Sequence, residues 1–241
     1  MAILGASAAP LPAFAAHPLQ SEDTGTQGAG NVEIENGMSS TNSGGSTTFV
    51  YQPQVSYGLA QTIDLIVRPS WLETRSPGNA STRGLGDTTV DAKWRFYGEA
   101  PWSFATRAGV TLATSEHDLG LPHGEASAHA ILVCTFDAAP YTIHGNVSFT
   151  HNPRGSGGRA QVTRLSAAVM WAANDQLILT GDAGAESASD PAGHAWPATL
   201  LAGAIYTVRP GLDVDIGYQN TAHAAMTARQ WLLGLTYRFA P

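Results

Sequence analysis

The chain has 241 residues and a formal net charge of −7, which leaves no basic footprint of the kind nucleic acid requires. Only 13% of its residues are charged, about half the share usual in a soluble domain, and Lys93 is the only lysine. A single cysteine, Cys134, excludes an internal disulfide framework, and no run approaches the ~18 apolar residues of a transmembrane helix.

The first residues, MAILGASAAPLPAFAA, are apolar and small, and Ala13-Phe14-Ala15 fits a signal-peptidase site. Residues 1–16 are therefore expected to be the remnant of a secretory signal, although no Lys or Arg precedes Arg68. Residues 17–30 follow as an irregular, glycine-rich polar lead-in.

From there the chain alternates apolar and polar residues with period two, the pattern of β-strands. Twelve such segments are expected, at about 31–39, 47–57, 62–72, 87–97, 102–112, 125–136, 141–150, 162–172, 176–186, 196–207, 212–218 and 229–239. The fourth, within GLGDTTVDAKWRFY (84–97), places Thr88, Val90, Ala92, Trp94 and Phe96 on one face. Its other face carries Asp87, Asp91, Lys93 and Arg95, a dense charge for so uncharged a protein.

Connections alternate in length. Short turns are expected at 58–61, 98–101, 137–140, 173–175 and 208–211; longer polar loops at 40–46, 73–86, 113–124, 151–161, 187–195 and 219–228. Short and long rims at opposite ends of an even-stranded wall are the mark of bacterial outer-membrane barrels. About 9–11 tilted residues cross the hydrocarbon layer, and most of the segments are that long. Aromatics gather near strand ends, among them Tyr57, Trp71, Trp94, Tyr141, Trp171, Tyr206, Tyr237 and Phe239, as interfacial girdles require. A soluble sandwich would instead need a surface rich in Lys and Glu. The expected fold is all-β: a transmembrane antiparallel up-and-down β-barrel of about 12 strands. Residues 31–241 form its single domain, and residues 17–30 are placed to plug its periplasmic mouth, with His17, Glu22 and Asp23 as the plug's charged groups.

If the aromatic parity faces lipid, the other parity lines the lumen. The expected lining and solute path comprises Asp64, Arg68, Asp87, Asp91, Lys93, Arg95, Arg107, His129, His144, Arg164, Asp182, Asp213, Asp215 and Arg238. Glu125 has the same parity. Such a mixed-charge set either rigidifies a filled interior or lines a polar passage, because alternation serves both. Pro53 and Pro69 interrupt two adjacent strands and each lacks a ladder donor. They mark either local bulges or a lateral opening in the wall.

Chemistry-bearing motifs are few. His117, Asp118, His123 and Glu125 share one loop without the spacing of a metal site. His144, Asn146 and Ser148 share a strand face, but no oriented base and oxyanion hole accompany them. There is no P-loop, GxGxxG or CxxC, so no cofactor and no catalytic set is expected.

Several stretches together are similar to the MetA-pathway of phenol degradation family of bacterial proteins. They are HPLQSEDTGTQGAGN (17–31), YGLAQTIDLIV (57–67), GLGDTTVDAKWRFY (84–97), GVTLAT (109–114), GDAGAE (181–186) with DPA (190–192), and GLTYRF (234–239). The resemblance implies an outer-membrane β-barrel acting as a channel or transporter for small, hydrophobic or aromatic compounds, and it carries over no catalytic residue. The chain departs from the family at Ala113-Thr114-Ser115, where Pro-Thr-Gly is usual. Gly234, Tyr237 and Phe239 fit the terminal signal read by the barrel-assembly machinery, while Leu232 stands where a polar residue is common. Expected partners are outer-membrane lipid, a small-molecule solute and that machinery, with no nucleic acid. The competing readings are a plugged structural barrel whose outer loops bind a partner and, third, a barrel lipid hydrolase.

Overall fold

The computed structural model describes residues 17–115, 126–152, 159–187, 196–222 and 227–239. The signal remnant at 1–16 and the loop residues His117, Asp118, His123 and Glu125 lie outside these. Period-two patterning becomes fourteen strand segments: β1 (Val32–Ser43), β2 (Ser46–Ala60), β3 (Ile63–Arg68), β4 (Trp71–Arg75), β5 (Thr82–Leu85), β6 (Thr88–Glu99) and β7 (Trp102–Leu112). They continue as β8 (Ser127–Ala138), β9 (Tyr141–His151), β10 (Gln161–Ala172), β11 (Leu177–Glu186), β12 (Ala198–Arg209), β13 (Leu212–Ala222) and β14 (Thr227–Phe239).

All neighbours pair antiparallel, and β1 pairs with both β2 and β14, so the sheet closes on itself. Closure satisfies every wall strand without leaving an edge, which a lipid environment demands. The segments β3 and β4 lie end to end along one position in the wall, because both pair with β2. The next position is shared in the same way by β5, against β4, and β6, against β3. Fourteen segments thus build a twelve-strand barrel.

Large apolar side chains stand on the outside: Leu65, Val67, Leu132, Ile143, Leu165, Leu200, Ile216 and Leu233 are all exposed to the surroundings of the wall. Charged groups of the opposite parity (Asp64, Asp91, Lys93, Arg107, Asp182, Asp213 and Asp215) are buried. This is the inside-out distribution expected of a barrel in lipid. Near the short-turn rim the rings of Trp94, Phe96, Tyr97, Trp102, Phe104 and Phe136 form one continuous aromatic cluster. Phe49 with Trp71, and Tyr218 with Trp231, sit toward the opposite rim.

Three sequence expectations need correction. The loop expected at 40–46 is a two-residue Gly44-Gly45 hairpin, with Ser43 directly facing Ser46, so strict alternation of short and long connections fails at the first hairpin. Both glycines have positive φ, which a tight turn needs and other residues resist. The expected loop at 73–86 is half strand, since β4 and β5 extend the wall beyond the third and fourth segments. Period two also fails in β6. A register shift between Arg95 and Tyr97 turns both Phe96 and Tyr97 outward.

Candidate functional site in the barrel lumen

Residues 17–27 run inside the barrel rather than beside it. The segment starts at mid-height, where His17 Nδ1 lies 2.5 Å from Asp215 Oδ1 of β13. Pro18 then sits against Gly203 and Gly217, which face each other across β12 and β13. A Cβ at Gly217 would come within 2.8 Å of Pro18, so the paired glycines form the seat for this ring. Leu19 joins Ala168, Met170, Ile178, Leu201, Ile205 and Leu232 in an apolar cluster on one side of the lumen. The departure at Leu232 therefore has a structural reason: it faces Leu19's cluster, where a polar residue would lose its water.

Beyond Leu19 the backbone is held by side chains from strand after strand. Asp182 of β11 accepts from the N–H groups of Gln20 (2.9 Å) and Ser21 (2.6 Å). Asn146 of β9 accepts from Glu22 N–H at 2.6 Å and donates to its carbonyl at 2.9 Å. Thr24 N–H donates to Thr135 Oγ1 of β8 (3.3 Å), and its hydroxyl pairs with that of Ser103 on β7. Gln27 N–H donates to both Asp64 oxygens of β3 at 3.1 Å. Near the short-turn rim, Gly30 N–H donates to the Gly58 carbonyl at 2.8 Å, and the chain enters β1. An irregular backbone inside a membrane protein needs partners for each polar group, and the lumen supplies them.

Glu22 is the segment's electrostatic anchor. Its carboxylate accepts from Lys93 Nζ at 2.8 Å and Arg107 Nη1 at 2.6 Å, and Asp23 adds a second acceptor to Lys93 at 3.2 Å. Burial by itself would raise the Glu22 carboxyl, but the adjacent Lys93 and Arg107 hold it well below the usual carboxylate range. Arg107 also pairs with Asp91 at 2.6 Å, and Asp91 with His129 Nε2 at 2.7 Å. A second cluster joins Arg238 to Glu33 (2.7 Å) and Asp213 (2.6 Å), tying β14 to β1 and β13.

The sequence-expected lining divides accordingly. Asp64, Asp91, Lys93, Arg107, His129, Asp182 and Asp215 meet in, or tether the segment to, this buried network. His144 is buried elsewhere, with its ring nitrogens facing Thr135 Oγ1 at 2.9 Å and Met170 Sδ at 3.3 Å. Arg164 donates to Thr199 Oγ1 at 3.1 Å, near the opposite rim. Asp87 lies outside the network. It falls between β5 and β6, where its carboxylate accepts from Ser115 N–H at 3.1 Å. Arg95 and Arg68 are half-buried and have no ion pair among the described residues. Three residues were missed: Glu33 and Glu35 are buried in the lumen, and Gln54 Nε2 donates to Glu35 at 2.5 Å. The alternation Val32-Glu33-Ile34-Glu35 was the signal that would have found the two acids.

Pro53 and Pro69 face one another. Pairing between β2 and the third wall position stops at Val55↔Val67 and resumes at Tyr51↔Trp71. The residues between are Gln52-Pro53-Gln54 and Arg68-Pro69-Ser70, and the two prolines fall at its middle. Next to it, Gly86 N–H donates to the Ser70 carbonyl (2.9 Å) and Ser70 Oγ to the Asp87 carbonyl (2.9 Å), bridging the break between β5 and β6. Thr114 Oγ1 reaches the Gly86 carbonyl at 3.0 Å. Thr114, which the chain shares with Pro-Thr-Gly, thus pins the start of the loop after β7 to this seam.

Inside the seam is a cavity of about 340 Å³, lined by Gln52, Gln54 and Arg68 on the wall side and by residues of the N-terminal segment opposite. The N-terminal segment fills the short-turn half of the lumen, and the cavity is the space it leaves.

A closed twelve-strand wall, apolar outside and ion-paired inside, defines a transmembrane β-barrel of the outer-membrane type. The chain belongs to the family described as "Putative MetA-pathway of phenol degradation", whose model matches residues 16–239. Its fold is similar to that of the COG4313 outer membrane channel from Pseudomonas putida F1, with TM-score 0.70 and 14% identity over 92% of this chain and 99% of that one. The KdgM porin in complex with disordered oligogalacturonate aligns with TM-score 0.61 and 9% identity, covering 86% and 99% of the two chains. The CymD monoaromatic hydrocarbon channel aligns with TM-score 0.54 and 8% identity, covering 90% of each. No curated protein matches the sequence.

Proposed function

We propose that this barrel is an outer-membrane channel for small hydrophobic or aromatic solutes, gated on its short-turn side by residues 17–30. One observation carries the reading: the lumen's open space lies against the only stretch where facing prolines interrupt the described wall ladder. On this reading a solute enters from the long-loop side, reaches the cavity, and leaves sideways between Pro53 and Pro69 into the membrane. His17, Glu22 and Asp23 hold the plug, and the charged lining positions it. Kinship with the family and the likeness of fold to the named channels support this reading.

Two measurements on the same protein test it. Intact cells expressing the barrel take up a radiolabelled monoaromatic faster than cells without it, and Pro53→Val with Pro69→Val slows that uptake. Purified protein in planar bilayers conducts ions weakly, and deletion of residues 17–30 raises the conductance several-fold. If neither form conducts and uptake is unchanged, the ion-paired interior is a filling, and the structural barrel with partner-binding loops takes the channel's place.

A further inference from the structure

Among the described residues, Arg68 is a wall arginine that lines the cavity with no hydrogen bond or ion pair of its own. Its Nε has no accessible surface and no hydrogen-bond acceptor, and no carboxylate among the described residues lies within 4.0 Å of its guanidinium. Arg107, which lines the same space, is by contrast paired with both Glu22 and Asp91. A guanidinium is always charged and presents a planar fork of donors matched to a carboxylate. Leaving one unpaired in a half-buried position is costly unless a ligand or water completes it.

The rest of the lining has a complementary character. Gln52 and Gln230 add neutral carboxamides, while Val50, Leu19 and Leu232 add an apolar side. Glu22 and Glu35 also border the space, so a doubly charged anion meets more repulsion there than a single carboxylate does. The volume of about 340 Å³ falls at the lower end of small-molecule sites. Gln54 closes the arrangement: its Nε2 donates to Glu35 at 2.5 Å and its Oε1 accepts from Arg107 Nη2 at 3.3 Å.

We propose that the cavity is a binding station for a small monocarboxylate with an apolar body, with Arg68 forming a forked pair with the carboxylate and Leu19, Val50 and Leu232 receiving the body. This rests on the channel reading and adds amphipathic organic acids, held by their carboxylate at Arg68, to its solute class; only the neutral acid form could take the lateral route into hydrocarbon.

Isothermal titration of the purified full chain in detergent, with benzoate and its neutral isostere benzamide as probes, tests the proposal. Wild-type protein binds benzoate on the order of tenfold or more tightly than benzamide, the range expected of a charge-assisted forked pair. Arg68→Gln removes that preference and leaves benzamide binding unchanged, while Arg68→Lys keeps part of it. Heat-modifiable migration on gels reports whether each variant folds. If Arg68→Gln fails to fold, the wild-type preference and Arg68→Lys still decide. Equal affinity for the two probes, or a benzoate preference that survives Arg68→Gln, overturns the assignment. Uptake of a neutral monoaromatic by cells that persists in that event leaves the channel reading standing, so the two failures are separable.

Discussion

Two regions of one lumen, built by the same parity rule, end in opposite states. In the short-turn half, Lys93 and Arg107 are matched by Glu22, Asp23 and Asp91, and the backbone of residues 20–27 is hydrogen-bonded across the interior. At the seam between β2 and the position shared by β3 and β4, Arg68 has no ion pair among the described residues and the ladder is interrupted by facing prolines. The comparison shows that alternation fixes which side chains face inward but not whether they are matched. Part of the matching is strand to strand, and the rest comes from a segment outside the strand pattern.

The sharpest way to break the filled half is to remove one of its two cations. Lys93→Met removes the cation that Glu22 and Asp23 share, leaving Asp23 without a counter-charge and Glu22 with Arg107 alone. The cost is up to that of a broken buried pair, about 3–5 kcal/mol. Urea unfolding in detergent should show that loss, together with raised bilayer conductance.

A smaller effect separates packing from charge. Gly217→Val places side-chain atoms where Pro18 sits, at an overpacking cost of about 1–3 kcal/mol. Faster hydrogen exchange is expected at the amides of Gln20, Ser21 and Glu22, with those of the β1–β2 hairpin unaffected.

The smallest effect concerns pH. Because the docked Glu22 carboxyl is held below its ordinary value, its contribution is complete above the usual carboxylate range. That contribution is lost only as pH falls through the depressed value. The melting-temperature advantage of wild type over Glu22→Gln should therefore be the same at pH 7 and pH 5 and disappear only in strongly acidic solution. An advantage that is already lost by pH 5 contradicts the anchor.

Much of this was legible in the residues. Alternation located the twelve wall positions, because a half-lipid, half-lumen strand cannot slip by one residue without burying charge in hydrocarbon. Lys93, Asp91 and Arg107 were readable as lumenal for the same reason. What period two could not convey was anything set by three-dimensional neighbours. The bulge after Arg95 exposes both Phe96 and Tyr97, the Gly44-Gly45 turn lets β1 and β2 run to Ser43 and Ser46, and Asp87 drops into a break between strands. The apolar patch around Leu201, Ile205 and Leu232 was hidden because its partner, Leu19, lies in a segment with no periodicity. Pro53 and Pro69 were visible singly, but their opposition depends on a register that only pairing reveals.

The N-terminal segment also changes the barrel as a mechanical object. A hoop of hydrogen bonds is only as stiff as its weakest joint, and here the joint between β2 and its neighbour is interrupted. From His17 to Gln27 the segment grips β13, β11, β9, β8, β7, β6 and β3 in turn, a set of spokes spanning the hoop from one side to the other. Load that the seam does not carry around the rim can pass across the hub. Withdrawing the segment would then free the mouth and slacken the seam in one movement.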